Sequence, residues 1–149
     1  MRYEIYENRL SVEDFIDLFD SAGWGRPPYE LVKTSLDNSY VTFCVMDGDR
    51  TIAMARLLGD GGMAFLLKDF VVLPDYQGQG VGRGLMAHIE NYIRGQLTTD
   101  CETYFQLMSA KGKDGFYEKL GFISHPHEHS GHGFTKRISR LDGQPDIQD

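Results

Sequence analysis

The stretch "MAFLLKDFVVLPDYQGQGVGRGLM", residues 63–86, constrains the fold more than any other part of the chain. Its first half is nearly continuous in apolar content, as expected of a central strand covered on both faces. Pro74 ends that run, because proline cannot donate to a sheet ladder. Glycines follow at 78, 80, 82 and 84, and from Gly82 the residues Leu85, Ile89, Tyr92 and Ile93 recur at helical spacing until about Leu97. Glycine loses more conformational freedom on folding than any other residue. Its repetition at alternate positions implies that something must come very close to the main chain.

The remaining elements arrange themselves around this strand–loop–helix unit. "RYEIYE" alternates as a first strand. "SVEDFIDLFDSAGWG" opens with Ser11 and carries Asp14 three residues on, a capping-box pattern, with Val12, Phe15, Ile16 and Phe19 on one helical face and Gly23 as the stop. "WGRPP" is a loop, since two prolines forbid helix continuation, and "YELVKTSL" is a short second helix. "SYVTFCVM", "DGDR" and "TIAMARLL" read as a hairpin, because Asp-Gly supplies the positive φ angles of a tight turn. "ETYFQLMS" is a further strand, "KDGFYEKLG" a short helix closed by Gly121, and "FISH" and "GFTKRI" are the expected final strands. No repeat or linker interrupts the pattern. The expected fold class is α/β (α+β), with one domain over residues 1–140 and a polar, frayed tail over 141–149.

Composition narrows the partners. The chain has 149 residues, enough for one domain with a real core, and no apolar run near the ~20 residues of a membrane helix. Charges in "MRYEIYENRL" occupy the place of a signal peptide's apolar stretch, so a cytoplasmic location is expected. Cys44 and Cys101 set no disulfide framework and are expected to pack as small hydrophobes. A net charge of −7 disfavours sequence-independent nucleic-acid binding and tilts the expectation towards a cationic small molecule or basic peptide.

A glycine-rich turn between a strand and a helix is an anion cradle. The free amides of the first helical turn point outwards, and the helix dipole adds about half a positive charge. Gly78, Gly80, Gly82 and Gly84 present no side chain to a phosphate, and Arg83 offers it a salt bridge. A P-loop would need Gly-Lys-Ser/Thr where Gly82-Arg83-Gly84 stands. A Rossmann fingerprint fails too, because Arg83 or Leu85 occupies the place of its last glycine. "Gln77-Gly78-Gln79-Gly80-Val81-Gly82" instead resembles the Q/R-x-x-G-x-G/A signature of the GNAT superfamily of N-acetyltransferases. "DFVVLPDYQ" is similar to that family's central strand, and "FYEKLGF" (116–122) to its later helix–strand segment. The likeness runs over roughly residues 1–140 in element order and is strong in 69–86 and 116–122.

This resemblance implies a GNAT-type mixed, mainly antiparallel central sheet flanked by helices, acetyl-CoA as co-substrate, and no metal. It implies that Val71, Val72 and Leu73 hold the pantetheine arm, one backbone amide there polarising the thioester carbonyl. Gln77, Gly78, Gln79, Gly80, Val81, Gly82 and Arg83 would hold the pyrophosphate. Tyr117 matches the family's tyrosine position and becomes the general acid for the departing thiolate, since a phenol of pKa about 10 is protonated at neutral pH. Two departures stand out. The strand positions where relatives carry a base, counted back by twos from Val72, hold Phe70, Lys68 and Leu66, while Asp69 falls on the opposite face by alternation. A water chain, or His129 or His132, is left for the base. Ala110 stands where many relatives have a CoA-contacting asparagine, with Ser109 or Lys113 as compensation.

The acceptor rim is expected to use Trp24, Arg26 and Tyr29, and Lys68 either binds an acceptor carboxylate or extends to solvent. His125, His127, His129 and His132 in "HPHEHSGHG" suit a metal-chelating loop, an acceptor contact or a plain solvated loop. The expected activity is direct acetyl transfer in a ternary complex to a primary amine of a small-molecule acceptor. No nucleic acid or membrane partner is expected, and a homodimer is open. Three rivals are a non-catalytic acyl-CoA sensor on the same scaffold, acetylation of a protein amine, and a metal-binding module centred on the histidines.

Overall fold

The computed structural model describes residues 2–140; the tail expected over 141–149 lies outside the described residues. Residues up to Met108 form one compact unit and those from Ser109 a second. The first unit contains a five-stranded sheet in the order β1-β2-β3-β4-β5. Its strands are β1 (Glu4–Glu7), β2 (Val41–Asp47), β3 (Arg50–Gly59), β4 (Ala64–Val72) and β5 (Tyr104–Leu107). All neighbours pair antiparallel except β4 and β5, which run parallel. That parallel pair needs a crossover, which a helix of 16 residues (Val81–Gln96) supplies.

Two helices precede the sheet's hairpin. The first, α1 (Val12–Ser21), starts where the Ser11 hydroxyl accepts from the Asp14 amide at 3.1 Å, so the expected cap forms. The second, α2 (Tyr29–Asp37), begins directly after Pro28. The crossover helix is α3, and Asp114–Lys119 of the second unit is α4. The hairpin turn forms at Gly48, whose φ of 59° is the left-handed geometry Asp-Gly favours.

Residues paired across a sheet share a face, and this sorts the core. Cys44, Met54 and Val71 sit opposite one another and pack with Phe15 and Leu18 of α1 and Val32 of α2. On the other face Phe43 meets His88 and Tyr92 of α3 at ring-centroid distances of 5.7 and 5.5 Å. Val81, Leu85, Met86, Ile89 and Ile93 carry α3's buried stripe. Fully burying each such side chain is worth roughly 1.5–3 kcal/mol, which anchors the helix whose start forms the cradle.

Three expectations are corrected. The segments "FISH" and "GFTKRI" form no strand; an isolated bridge between His127 and Ser130 is the β-type pairing described there. Ile123, Phe134 and Ile138 are largely exposed, so these residues lack the buried face that makes a strand worth forming. Cys44 is buried as expected, but Cys101 is exposed, because it lies in the connection between α3 and β5 and not in the sheet. The third correction concerns Asp69. Met54 faces Val71 while Arg56 faces Lys68, so Ala55 of β3 opposes two residues of β4. This is a β-bulge, with Asp69 at φ 53°. The extra residue cancels the alternation, and Lys68 and Asp69 end up on the same face.

Candidate active site

The end of β4 and the turn that follows it form the first part of the site. β5 pairs with β4 only as far as Leu67, so from Lys68 onward the strand has no β5 neighbour. The Leu73 amide donates to the Ile52 carbonyl at 2.9 Å, which directs Val72, one residue earlier, to the other edge. There the Val72 carbonyl accepts from Gln77 Nε2 at 2.9 Å. The sequence-expected residues Val71, Val72 and Leu73 thus differ in role: Val71 is buried in the core, and Val72 presents its backbone to the open edge.

A short 3₁₀ turn, Pro74–Tyr76, carries the chain from β4 to the cradle. Its Tyr76 hydroxyl donates to Asp47 Oδ2 at 2.7 Å, tying the turn to the β2–β3 hairpin. That bond, more than burial, raises the Tyr76 pKa above its ordinary value. Gln79 braces the next residues: its Nε2 donates to the Asp75 carbonyl at 3.0 Å and its Oε1 accepts from the Tyr3 hydroxyl at 3.3 Å.

Gly78 and Gly80 take φ angles of 76° and 86°, which L side chains rarely adopt. Among the described residues, no atom beyond the two chain neighbours would meet a Cβ within 4 Å at either position. Glycine is therefore required here by backbone conformation, and the space above it is clear. The first amide of α3 with a backbone acceptor is that of Gly84, which donates to the Gly80 carbonyl at 3.0 Å. The amides of Gly78, Gln79, Gly80, Val81, Gly82 and Arg83 have no acceptor among the described residues. Arg83 is exposed with no ion pair there. A set of outward amides at a helix start, with a free guanidinium, fits the diphosphate of a coenzyme.

Beside the bulge lies a cleft of about 220 Å³ lined by Phe15 and Phe19 of α1, Pro27, Leu31, Val32 and Ser35 of the α2 region, and Arg56, Lys68 and Asp69. Arg56 Nε donates to Asp69 Oδ2 at 2.6 Å, with side-chain exposures of 13% and 12%. Trp24 and Tyr29 stand outside this lining; Trp24 packs edge-on against Phe19 at 5.1 Å, and Arg26 pairs with Asp17 and Asp20. A second cleft, of about 310 Å³, is bordered by Asp14, Asp17 and Asp49. Its Asp14 already accepts from Thr51 at 2.7 Å and its Asp17 from Arg26.

Neutralising Asp69 tests the bulge. Asp69→Asn keeps the volume and tolerates a positive φ, so it isolates the charge facing Arg56. The expected loss is about 2 kcal/mol of unfolding free energy, measured by urea denaturation. An unmoved midpoint would mean that the pair contributes nothing to the bend.

In the second unit, Tyr117 lies half-buried on α4, its ring edge-on to Phe116 and Phe122 at 5.1 and 5.9 Å. Burial pushes its pKa above the ordinary phenol value. Gly121 closes α4 at φ 94°, as its position after the helix requires. His125 and His127 have ring centroids 4.8 Å apart, and no three His, Cys, Asp or Glu side chains among the described residues come together in a metal-holding group. No helix among the described residues is long and apolar enough to cross a membrane.

β4 lies between β3 and β5, one place from the sheet's end, and its burial alternates, so it is not the strand covered on both faces that its apolar run leads one to expect. Its end still opens into a bare cradle, an architecture that suits an acyl-group transferase. The sequence profile described as "Acetyltransferase (GNAT) domain" matches residues 38–124. The protein named uncharacterized N-acetyltransferase ycf52 from Gracilaria tenuistipitata var. liui is 34% identical over 83% of this chain and 68% of its own length. Serotonin N-acetyltransferase 2, chloroplastic, of Oryza sativa subsp. japonica is 30% identical over 89% of this chain and 66% of its own. Among solved structures, the protein SA2161 of Meticillin-Resistant Staphylococcus aureus, described as a probable acetyltransferase, superposes with a TM-score of 0.77 at 32% identity, covering 91% of this chain and 99% of that one. The chain belongs to the GNAT superfamily and is an acetyltransferase.

Proposed function

We propose that the protein transfers the acetyl group of acetyl-CoA directly to the primary amine of a small-molecule acceptor within a ternary complex. The observation that carries this reading is the run of unoccupied amides from Gly78 to Arg83, open to a diphosphate. Bound acetyl-CoA supplies a thioester, an acyl group activated towards an amine. The new C–N bond forms as the C–S bond breaks; the amine gives up one proton and the departing sulfur receives one. Val72, at the edge that β5 leaves open, offers the backbone donor for the carbonyl oxygen. Tyr117, whose phenol burial keeps neutral, is the proton source for the sulfur.

The small cleft supports a small acceptor, since ligand pockets of drug-sized molecules begin at about 300 Å³. The name of the rice relative, which specifies serotonin, supports the same class. The direct test is free-thiol release from acetyl-CoA across a panel of small amines and a lysine-containing peptide. Thiol release that depends on a small amine is the expected result. Turnover with the peptide alone would move the acceptor to a protein amine, and coenzyme binding without any turnover would make the chain a sensor.

A further inference from the structure

We propose, resting on the transferase reading above, that the cleft beside the bulge selects an amino acid with a large apolar or aromatic side chain, its carboxylate paired with Lys68. The cleft's walls are Phe15, Phe19, Pro27, Leu31 and Val32, an apolar surface that suits one ring or branched chain. Its charged floor comes entirely from the sheet. Arg56 and Lys68 lie opposite one another in register, and the bulge turns Asp69 to the same side. Arg56 is already answered by Asp69 at 2.6 Å and reaches Ser39 at 3.4 Å. Lys68 has no ion pair among the described residues.

The floor therefore keeps one uncompensated positive charge, in a chain whose net charge is −7. A polyamine would bring further positive charge against it. An arylalkylamine would satisfy the walls and leave the ammonium unanswered. An amino acid satisfies both, because its side chain meets the aromatic wall and its carboxylate meets Lys68. A charge-assisted hydrogen bond of that kind corresponds to roughly a 10- to 100-fold preference.

The experiment compares kcat/KM for phenylalanine, phenylalaninamide, phenethylamine and spermidine by thiol release, with acetyl-CoA affinity measured separately by calorimetry. Phenylalanine is expected to exceed its amide, which keeps the shape and lacks the charge, by roughly 10- to 100-fold. Lys68→Met should bring the two to the same value, and Lys68→Arg should retain the preference. Lys68 is exposed, so both variants are expected to fold. Equal rates for acid and amide, or a preference that survives Lys68→Met, would overturn the specificity. So would normal acetyl-CoA binding with no thiol released on phenylalanine, and each of these outcomes leaves the coenzyme reading standing. Failure to bind acetyl-CoA would remove both.

Discussion

Tyr117→Phe is expected to lower kcat by about 100-fold while leaving acetyl-CoA affinity within about twofold, the signature of a lost proton donor. The substitution keeps the ring that packs edge-on against Phe116 and Phe122, so α4 should survive it. Steady-state thiol release, paired with calorimetric binding of acetyl-CoA, separates the two quantities. The pH dependence gives a second check. Burial raises the Tyr117 pKa above its unfolded value of about 10, so the folded protein favours the neutral phenol. Its contribution to stability is fully present below about pH 10 and is lost as pH rises through the folded value. Any loss of rate owed to Tyr117 must then lie above about pH 10, and none of it in the neutral range. Undiminished turnover in the phenylalanine variant would strip the residue of this role.

Gly80→Val should act on the cradle. At φ 86° a β-branched residue is strained by about 1–3 kcal/mol, yet among the described residues no atom beyond the chain neighbours lies within 4 Å of the new Cβ. The protein should still fold, with its new methyl groups standing over the open amides. Acetyl-CoA affinity is expected to fall by at least about tenfold, the equivalent of one good hydrogen bond. Gly95→Val, on α3 with equally clear space, is the control: it costs some helix stability and should leave affinity unchanged. Should Gly80→Val bind acetyl-CoA as tightly as the parent, the cradle is not where the diphosphate sits.

Features of short range in the chain were legible in its sequence. The Ser11 cap, the Asp-Gly hairpin turn, the helix expected from Gly82, which begins at Val81, and the closure of α4 by Gly121 each depend on a few consecutive residues, and each forms. The cradle was legible for the same reason. It is a strand end, a bare turn and a helix start in sequence order, so its open amides follow from local geometry. Phe15 lies on the α1 face that the apolar spacing predicts, and Leu18, equally buried, widens that stripe.

The acceptor side was not legible in this way. Alternation assigns Asp69 and Lys68 to opposite faces, and only the register between β3 and β4 reveals the bulge that unites them. Arg56 carries no local signal of a role, and it becomes decisive because it pairs with Asp69 from 13 residues away. The expected strands in 122–140 failed for a related reason: a strand needs a neighbouring edge and a covered face, and neither is encoded in the strand itself. The sequence by itself determined the elements up to α4 and the bare glycine turn at the start of α3, because backbone preference and glycine conformation act over a few residues. Tertiary structure decided which charges share the cleft, because strand register is set by partners distant in the chain, and one extra residue reverses every face beyond it.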